Sequence, residues 1–147
     1  MRGGLNMMDS KDCIAVANEN RLCFLATVEN DRPRVRAMEF WFADETGFYF
    51  QTGAIKELTG HITANPNVEA CFYKPGELAG TMLRVAGKAE FVTDLQMKEK
   101  AMRDRPFLKD MGLTADSPNL ILFRIGHGEA YFWTLETNLK PKGKIIF

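Results

Sequence analysis

The residues of this 147-residue chain best suited to chemistry are those that can meet an anion. Gln51-Thr52-Gly53-Ala54-Ile55-Lys56 reads as a strand passing through a glycine into a helix. Backbone N–H groups at a helix start, joined by a hydroxyl, form an anion site. The spacing puts Lys56 in the first helical turn, where a cation opposes the helix dipole by roughly 0.3–1 kcal/mol unless an anion lies beside it. A bound phosphate removes that conflict; the plainer alternative is a solvent-facing lysine. On the run from Arg34 to Phe42, alternation puts Arg36, Met38, Phe40 and Phe42 on one face. An arginine among apolar residues either reaches water at the strand's end or serves an anionic or planar partner in a groove. Because this run leads by a tight turn into the strand before Thr52, Arg36 and Lys56 are expected to converge on one phosphate.

Other groups carry less. Tyr131-Phe132-Trp133, on the last strand, is aromatic enough to line a flat conjugated ligand, although such a cluster packs as readily into a core or an interface. His61 falls on the polar side of its helix and is expected at the surface; His127, between two glycines, reads as a turn residue. Cys13, Cys23 and Cys71 form no CxxC pair and have only two histidines to join them, so buried free thiols are expected and a metal site is not. Paired carboxylates, a GxSxG elbow, a Walker loop and a GxGxxG fingerprint are absent. The sequence therefore nominates binding groups and leaves catalytic residues unassigned.

The elements that must position these groups follow from the pattern. Ser10 is placed to cap a short helix running to about Asn18. Arg21 to Glu29 and Arg34 to Ala43 read as a hairpin around Asn30–Pro33, and Asp44–Gly47 turns the chain into Phe48–Thr52. Ile55, Leu58, Thr59 and Ile62 stand at i, i+3, i+4 and i+7, which predicts an amphipathic helix over 54–64, ended by Asn65-Pro66. A strand over 68–73 is followed by an alternating one over 82–92, with Val85, Gly87, Ala89 and Phe91 on one face. Asp94 opens a second helix over 95–104, which gives way near Arg105-Pro106 to a short helical piece stopped at Met111-Gly112. Residues 120–125 and 130–136 read as two strands separated by Gly126-His127-Gly128. Six or seven strands with two principal helices predict a mostly β chain with inserted helices (α+β), its antiparallel sheet most easily closed as a barrel.

Length and charge narrow the function classes. One domain is expected, over 9–147, with residues 1–8 disordered or foreign to it because they carry no periodic pattern. Nineteen basic residues balance nineteen acidic ones, which argues against nucleic acid or an anionic membrane as the main partner. A barrel using Phe48, Tyr49 and Phe50 as a stacking platform for single strands is the one nucleic-acid alternative. No leader or long apolar run is visible, so a cytoplasmic location is expected.

The ordered set FLATVENDRPRVRAMEFWF, GFYFQTGAIKEL, ANPNVEACFY, LRVAGKAEFV and AYFW resembles the pyridoxamine 5'-phosphate oxidase-like family of FMN-binding split barrels, over roughly Asp9 to the C-terminus. That resemblance implies an antiparallel split β-barrel forming a homodimer, with FMN in clefts between subunits and a small-molecule substrate or electron donor that the sequence does not name. It further implies that Arg36, Ala37, Met38 and Glu39 run along the flavin, that Gln51, Thr52, Gly53 and Lys56 hold its phosphate, and that Met82 and Trp133 approach it from the other subunit. Two departures stand out. The tail Asn138–Phe147 has no histidine, and Phe40-Trp41-Phe42 stands where the oxidase proper has a lysine, so oxidation of pyridoxamine phosphate itself is not expected. An FMN-dependent oxidoreductase is the expectation, with a non-catalytic flavin or deazaflavin binding or sensing protein as the alternative.

Overall fold

The computed structural model describes residues 8–147, so the expectation for the leading segment falls outside them except at Met8, which is exposed. The described elements are α1 (Ser10–Glu19), β1 (Leu22–Glu29), β2 (Arg32–Glu39), β3 (Phe42–Asp44), β4 (Gly47–Gly53), α2 (Glu57–Ala64), β5 (Asn67–Lys74), β6 (Thr81–Val92), α3 (Leu95–Asp104), α4 (Phe107–Asp110), β7 (Leu120–Trp133) and β8 (Ile145–Ile146). The strands form one sheet in the order β2-β1-β5-β6-β7-β4-β3, with β8 added beside β7. Every pairing is antiparallel.

This order has a geometric consequence. β2 and β3 are the two ends of the sheet, yet only Phe40 and Trp41 link them. With consecutive Cα atoms 3.8 Å apart, the two ends can lie no more than about 11 Å from each other there. The sheet must therefore curl until its ends nearly meet, while β2 and β3 remain unpaired. That is a split antiparallel barrel.

Two cores follow from the two faces of the curled sheet. Leu25, Phe40, Phe50, Phe72, Leu83 and Phe123 fill the inside. Phe40 sits among rings, with centroids 4.9 Å from Phe72 and 5.2 Å from Phe50. On the outside, α3 and α4 cover Trp41, Tyr49, Leu120 and Leu122 with Ala101 and Leu108. Strands β4 and β7 are thus buried on both faces, which is why their sequences are continuously apolar instead of alternating. Phe48, Tyr49 and Phe50 are all buried, so they offer no stacking platform for a nucleic acid.

Several boundaries differ from the sequence expectation. The α1 cap is Asp9, not Ser10: its carboxylate accepts from the Lys11 and Asp12 amides, and Asp12 reaches back to the Asp9 amide. The run Arg34–Ala43 is not one strand, because it leaves one end of the sheet at Glu39 and joins the other at Phe42. Its alternation fails at that crossing, where Phe40 enters the inner core while Trp41 and Phe42 both pack on the outer one. The two strands expected around Gly126-His127-Gly128 are one continuous β7. There the register steps from Gly87↔Gly128 to Ala89↔Ile125, so Gly126 and His127 together oppose Lys88 as a bulge. A Cβ at Gly128 would collide with the Ala86 carbonyl, and glycine is what allows the strands to continue past this point. β8 and the short α4 complete the count of eight strands and four helices among the described residues.

All three cysteines are free; Cys13 and Cys23 are buried as expected, whereas Cys71 is only half-buried. Burial pushes the Cys13 thiol up to about 11 and that of Cys23 up to about 12, and it raises Cys71 in the same direction. A thiol whose folded value lies above its unfolded one supports folding below the unfolded value and loses that support as pH rises toward the folded value. Stability is therefore expected to be flat through neutral pH and to fall above about pH 9. At pH 8 native Cys13 and Cys23 should resist a thiol-specific alkylating reagent that modifies all three cysteines in denaturant. Rapid alkylation of Cys23 in the folded protein would contradict this placement.

Candidate functional site

A groove of about 430 Å³ opens where β2, the end of β4 and the start of α2 come together. Its lining includes Arg36, Ala37, Met38 and Glu39 from β2, Gln51 and Thr52 from β4, and Lys56 ahead of α2. Seven of the ten nominated residues are thus brought to one place, joined by Glu57, Leu58, Arg105 and Phe107. The volume lies within the usual range of small-molecule pockets, about 300–1,000 Å³.

The phosphate-type end is built by the strand-to-helix turn. Thr52 is buried, and Gly53 is not in the lining; its carbonyl instead accepts from the Lys56 amide at 3.1 Å and from Thr59 Oγ1 at 2.7 Å. The Ala54 amide is anchored by Asn119, through the side-chain Oδ1 at 2.7 Å. Helix α2 starts at Glu57, so Lys56 is its N-cap and not a first-turn residue, and no side chain caps the helix. Among the described residues Lys56 has no carboxylate partner. This leaves its ammonium available beside uncapped helix amides, a donor set chemically matched to an oxyanion.

Arg36 is more deeply committed than its sequence suggested. It is half-buried and partly engaged: Nη1 donates to the Leu25 carbonyl at 3.2 Å and to Thr27 Oγ1 at 2.8 Å, and Nη2 meets His61 Nδ1 at 3.1 Å. A guanidinium has five N–H groups and only donates, so His61 Nδ1 must accept, which puts the imidazole proton on Nε2. That atom faces the Glu29 carboxylate at 3.3 Å. Burial depresses the proton affinity of Arg36, while the neighbouring Glu57 carboxylate opposes the shift. Glu29, His61 and Thr27 therefore fix the guanidinium at the groove wall and leave part of its fork to a ligand.

His61 was expected at the surface and is instead buried. The i, i+3, i+4, i+7 count could not reveal this, because Thr27, its partner at 2.9 Å, lies 34 residues earlier on β1. Arg105 was also missed. It read as a helix end before proline, yet it is buried and lines the groove.

Met82 and Trp133 stand apart from this groove. They are cross-strand partners on β6 and β7 and line a second hollow of about 640 Å³, together with Arg84, Tyr131, Asn138 and Lys142. Trp133 Nε1 donates to Asn138 Oδ1 at 2.9 Å. His127, in the β7 bulge, is exposed and far along the strand from either cluster.

A family model described as pyridoxamine 5'-phosphate oxidase matches residues 11–133. The chain belongs to that family. Its fold is shared with a NimC/NimA family protein from Clostridium acetobutylicum, at 23% identity, 99% coverage of both chains and a TM-score of 0.78. It is also similar to General Stress Protein 26 from Bacillus anthracis, at 28% identity over 85% of this chain and 94% of that one, with a TM-score of 0.69. An FAD-binding protein from Mesorhizobium loti has the same fold at 21% identity, 85% and 94% coverage and a TM-score of 0.64. No curated protein matches the chain. The family assignment and the split barrel agree with the resemblance read from the sequence.

Proposed function

We propose that the chain is an FMN-binding oxidoreductase whose flavin phosphate is held by Arg36, Thr52 and Lys56. The observation that carries this reading is the groove itself, which gathers Arg36 and Met38 of the edge strand β2 opposite the buried Thr52, Lys56 and an uncapped helix start. When bound, the flavin supplies the electron or hydride transfer. The chain's own residues bind and orient: Lys56 and Arg36 neutralise the phosphate, the His61–Thr27–Glu29 cluster fixes Arg36, and the backbone from Ala37 to Glu39 lies where a flat ring would run. A protein of the same fold is described as FAD-binding, which supports a flavin in this groove; the single phosphate that Lys56 and Arg36 can meet favours FMN.

The same reading includes a homodimer. In the observed register Leu22, Phe24, Val35 and Tyr73 share the outer face of the sheet with Met82 and Trp133. The first four are at least 46% exposed, an apolar face suited to a second copy. Phe40 and Trp41 are buried within their own chain and are not part of that exposed face. Val35→Arg is expected to convert the dimer to monomer without unfolding, because Val35 is 70% exposed. A monomeric mass for the flavin-loaded parent by light scattering would contradict the dimer.

The test of function is the visible spectrum of the purified protein, followed by mass analysis of whatever denaturation releases. FMN is the expected species. Bleaching by NADH or NADPH and reoxidation by an added acceptor would establish turnover, whereas a bound flavin that no donor reduces would indicate a binding or sensing protein.

A further inference from the structure

The β4–β7 ladder ends at the pair Gly53↔Leu120, and Asn119, just ahead of β7, carries the contact one step further. The Ala54 amide donates to the Asn119 carbonyl at 3.2 Å and to its side-chain Oδ1 at 2.7 Å. Continued strand pairing accounts for the first of these bonds. The second and shorter one comes from the carboxamide.

The same peptide is held at its other end. The Gly53 carbonyl accepts from the Lys56 amide at 3.1 Å and from Thr59 Oγ1 at 2.7 Å. A trans peptide is planar, with its N–H and C=O on opposite sides, so partners at both ends fix the tilt of the Gly53–Ala54 plane. Lys56 and Thr59 hold the carbonyl at the start of α2, and Asn119 keeps it turned toward them. Asn119 is itself braced, because it closes a loop in which the Thr114 amide donates to Ser117 Oγ at 2.8 Å and the Leu120 amide to the Ser117 carbonyl at 3.0 Å.

Gly53 takes its meaning from this arrangement. The family resemblance puts it among the residues that hold the phosphate, yet it does not line the groove. A Cβ at Gly53 would lie 3.2 Å from Asn119 Oδ1, tighter than side chains ordinarily pack, and 3.7 Å from Lys56 Cγ. The missing side chain makes room for the Asn119 carboxamide and lets the Lys56 stem pass over the turn.

We propose that Asn119 is a positioning residue of the phosphate turn: it fixes the Gly53–Ala54 peptide and, through it, Lys56 and the uncapped start of α2, and Gly53 is the glycine that admits it. This rests on the flavin reading of the groove. Asn119 is not in the groove lining, so its effect on a ligand passes through the turn. Without the carboxamide the Ala54 amide keeps only the longer bond and the peptide is free to tilt. The phosphate then meets donors that are no longer preorganised, whereas a ring lying along β2 loses nothing.

FMN and riboflavin are the probes, titrated into parent and variants by equilibrium dialysis. Asn119→Ala should weaken FMN binding by at least about fivefold and riboflavin binding by less than about twofold. Exchange of the Ala54 amide with solvent, followed by NMR, should speed up by at least about fivefold in Asn119→Ala and stay at the parental rate in Asn119→Asp, which keeps an oxygen acceptor. Gly53→Ala should also weaken FMN binding, but much less when made in the Asn119→Ala chain, where the group it crowds is gone. Equal losses for FMN and riboflavin, unchanged exchange at Ala54, or additive effects of the two substitutions would overturn the proposal. If Asn119→Ala does not fold, the parent decides: a scalar coupling across the hydrogen bond from the Ala54 nitrogen to the Asn119 carboxamide carbon must be present with and without FMN, and its absence overturns the proposal. If the parent binds no FMN at all, the flavin reading fails by itself, and inorganic phosphate replaces FMN as the probe; equal phosphate binding by parent and Asn119→Ala then overturns the positioning role.

Discussion

Lys56→Ala is expected to weaken FMN binding by about 10- to 150-fold while the chain keeps its fold, and Arg36→Ala by a similar factor. The range follows from roughly 1.5–3 kcal/mol for a hydrogen bond to a charged group. Among the described residues Lys56 has no carboxylate partner to strand, so its removal should cost little stability. Arg36 is more entangled, but Thr27 Oγ1 and His61 Nδ1 are already hydrogen-bonded at 2.9 Å and keep each other as partners once the guanidinium is gone. Riboflavin, which lacks the phosphate, should bind the parent weakly and be much less sensitive to either change. Titrating both ligands into parent and variants isolates the phosphate contribution as an interaction energy. Equal losses for FMN and riboflavin would mean that these side chains act through the fold or the ring, and the phosphate assignment would be wrong.

Phe40→Ala is expected to destabilise the protein by about 3–5 kcal/mol, a large share of the roughly 5–15 kcal/mol that keeps a domain folded. Phe40 is 1% exposed and packs edge-on against Phe50 and Phe72. It is also half of the two-residue link between the ends of the sheet, so the cavity forms where the barrel is drawn together. Leu139→Ala, at a residue that is 95% exposed, should cost less than about 0.5 kcal/mol. Chemical denaturation of the two variants distinguishes them, and a Phe40→Ala cost below about 1 kcal/mol would show that this link does not hold the ends together.

Most of the fold was legible because the strands and turns announce themselves locally. Asn65-Pro66 ends α2, and Asp94 caps α3 through the Gln96 amide. What failed to show was non-local. The crossing at Phe40-Trp41 reads as strand because both flanks are strand; only the pairing of β2 with β1 and of β3 with β4 separates them. The β7 bulge looked like a turn because Gly-His-Gly has turn composition, whereas Gly128 serves close passage of the β6 backbone at Ala86.

The site divides in the same way. Thr52 and Lys56 are contiguous with a strand-to-helix turn, so their spacing exposed them. Arg36 announced itself as a charge on an apolar face, but not its partners on β1 and α2. His61 and Arg105 gave no signal at all, since a histidine on a helix and an arginine before proline take their meaning from residues 34 and 66 positions away.

Equilibrium dialysis of the purified chain against FMN tests the central claim most directly. The account predicts one FMN retained per chain at micromolar concentration, with riboflavin retained far less. No retention of FMN, or retention that riboflavin equals, would contradict it.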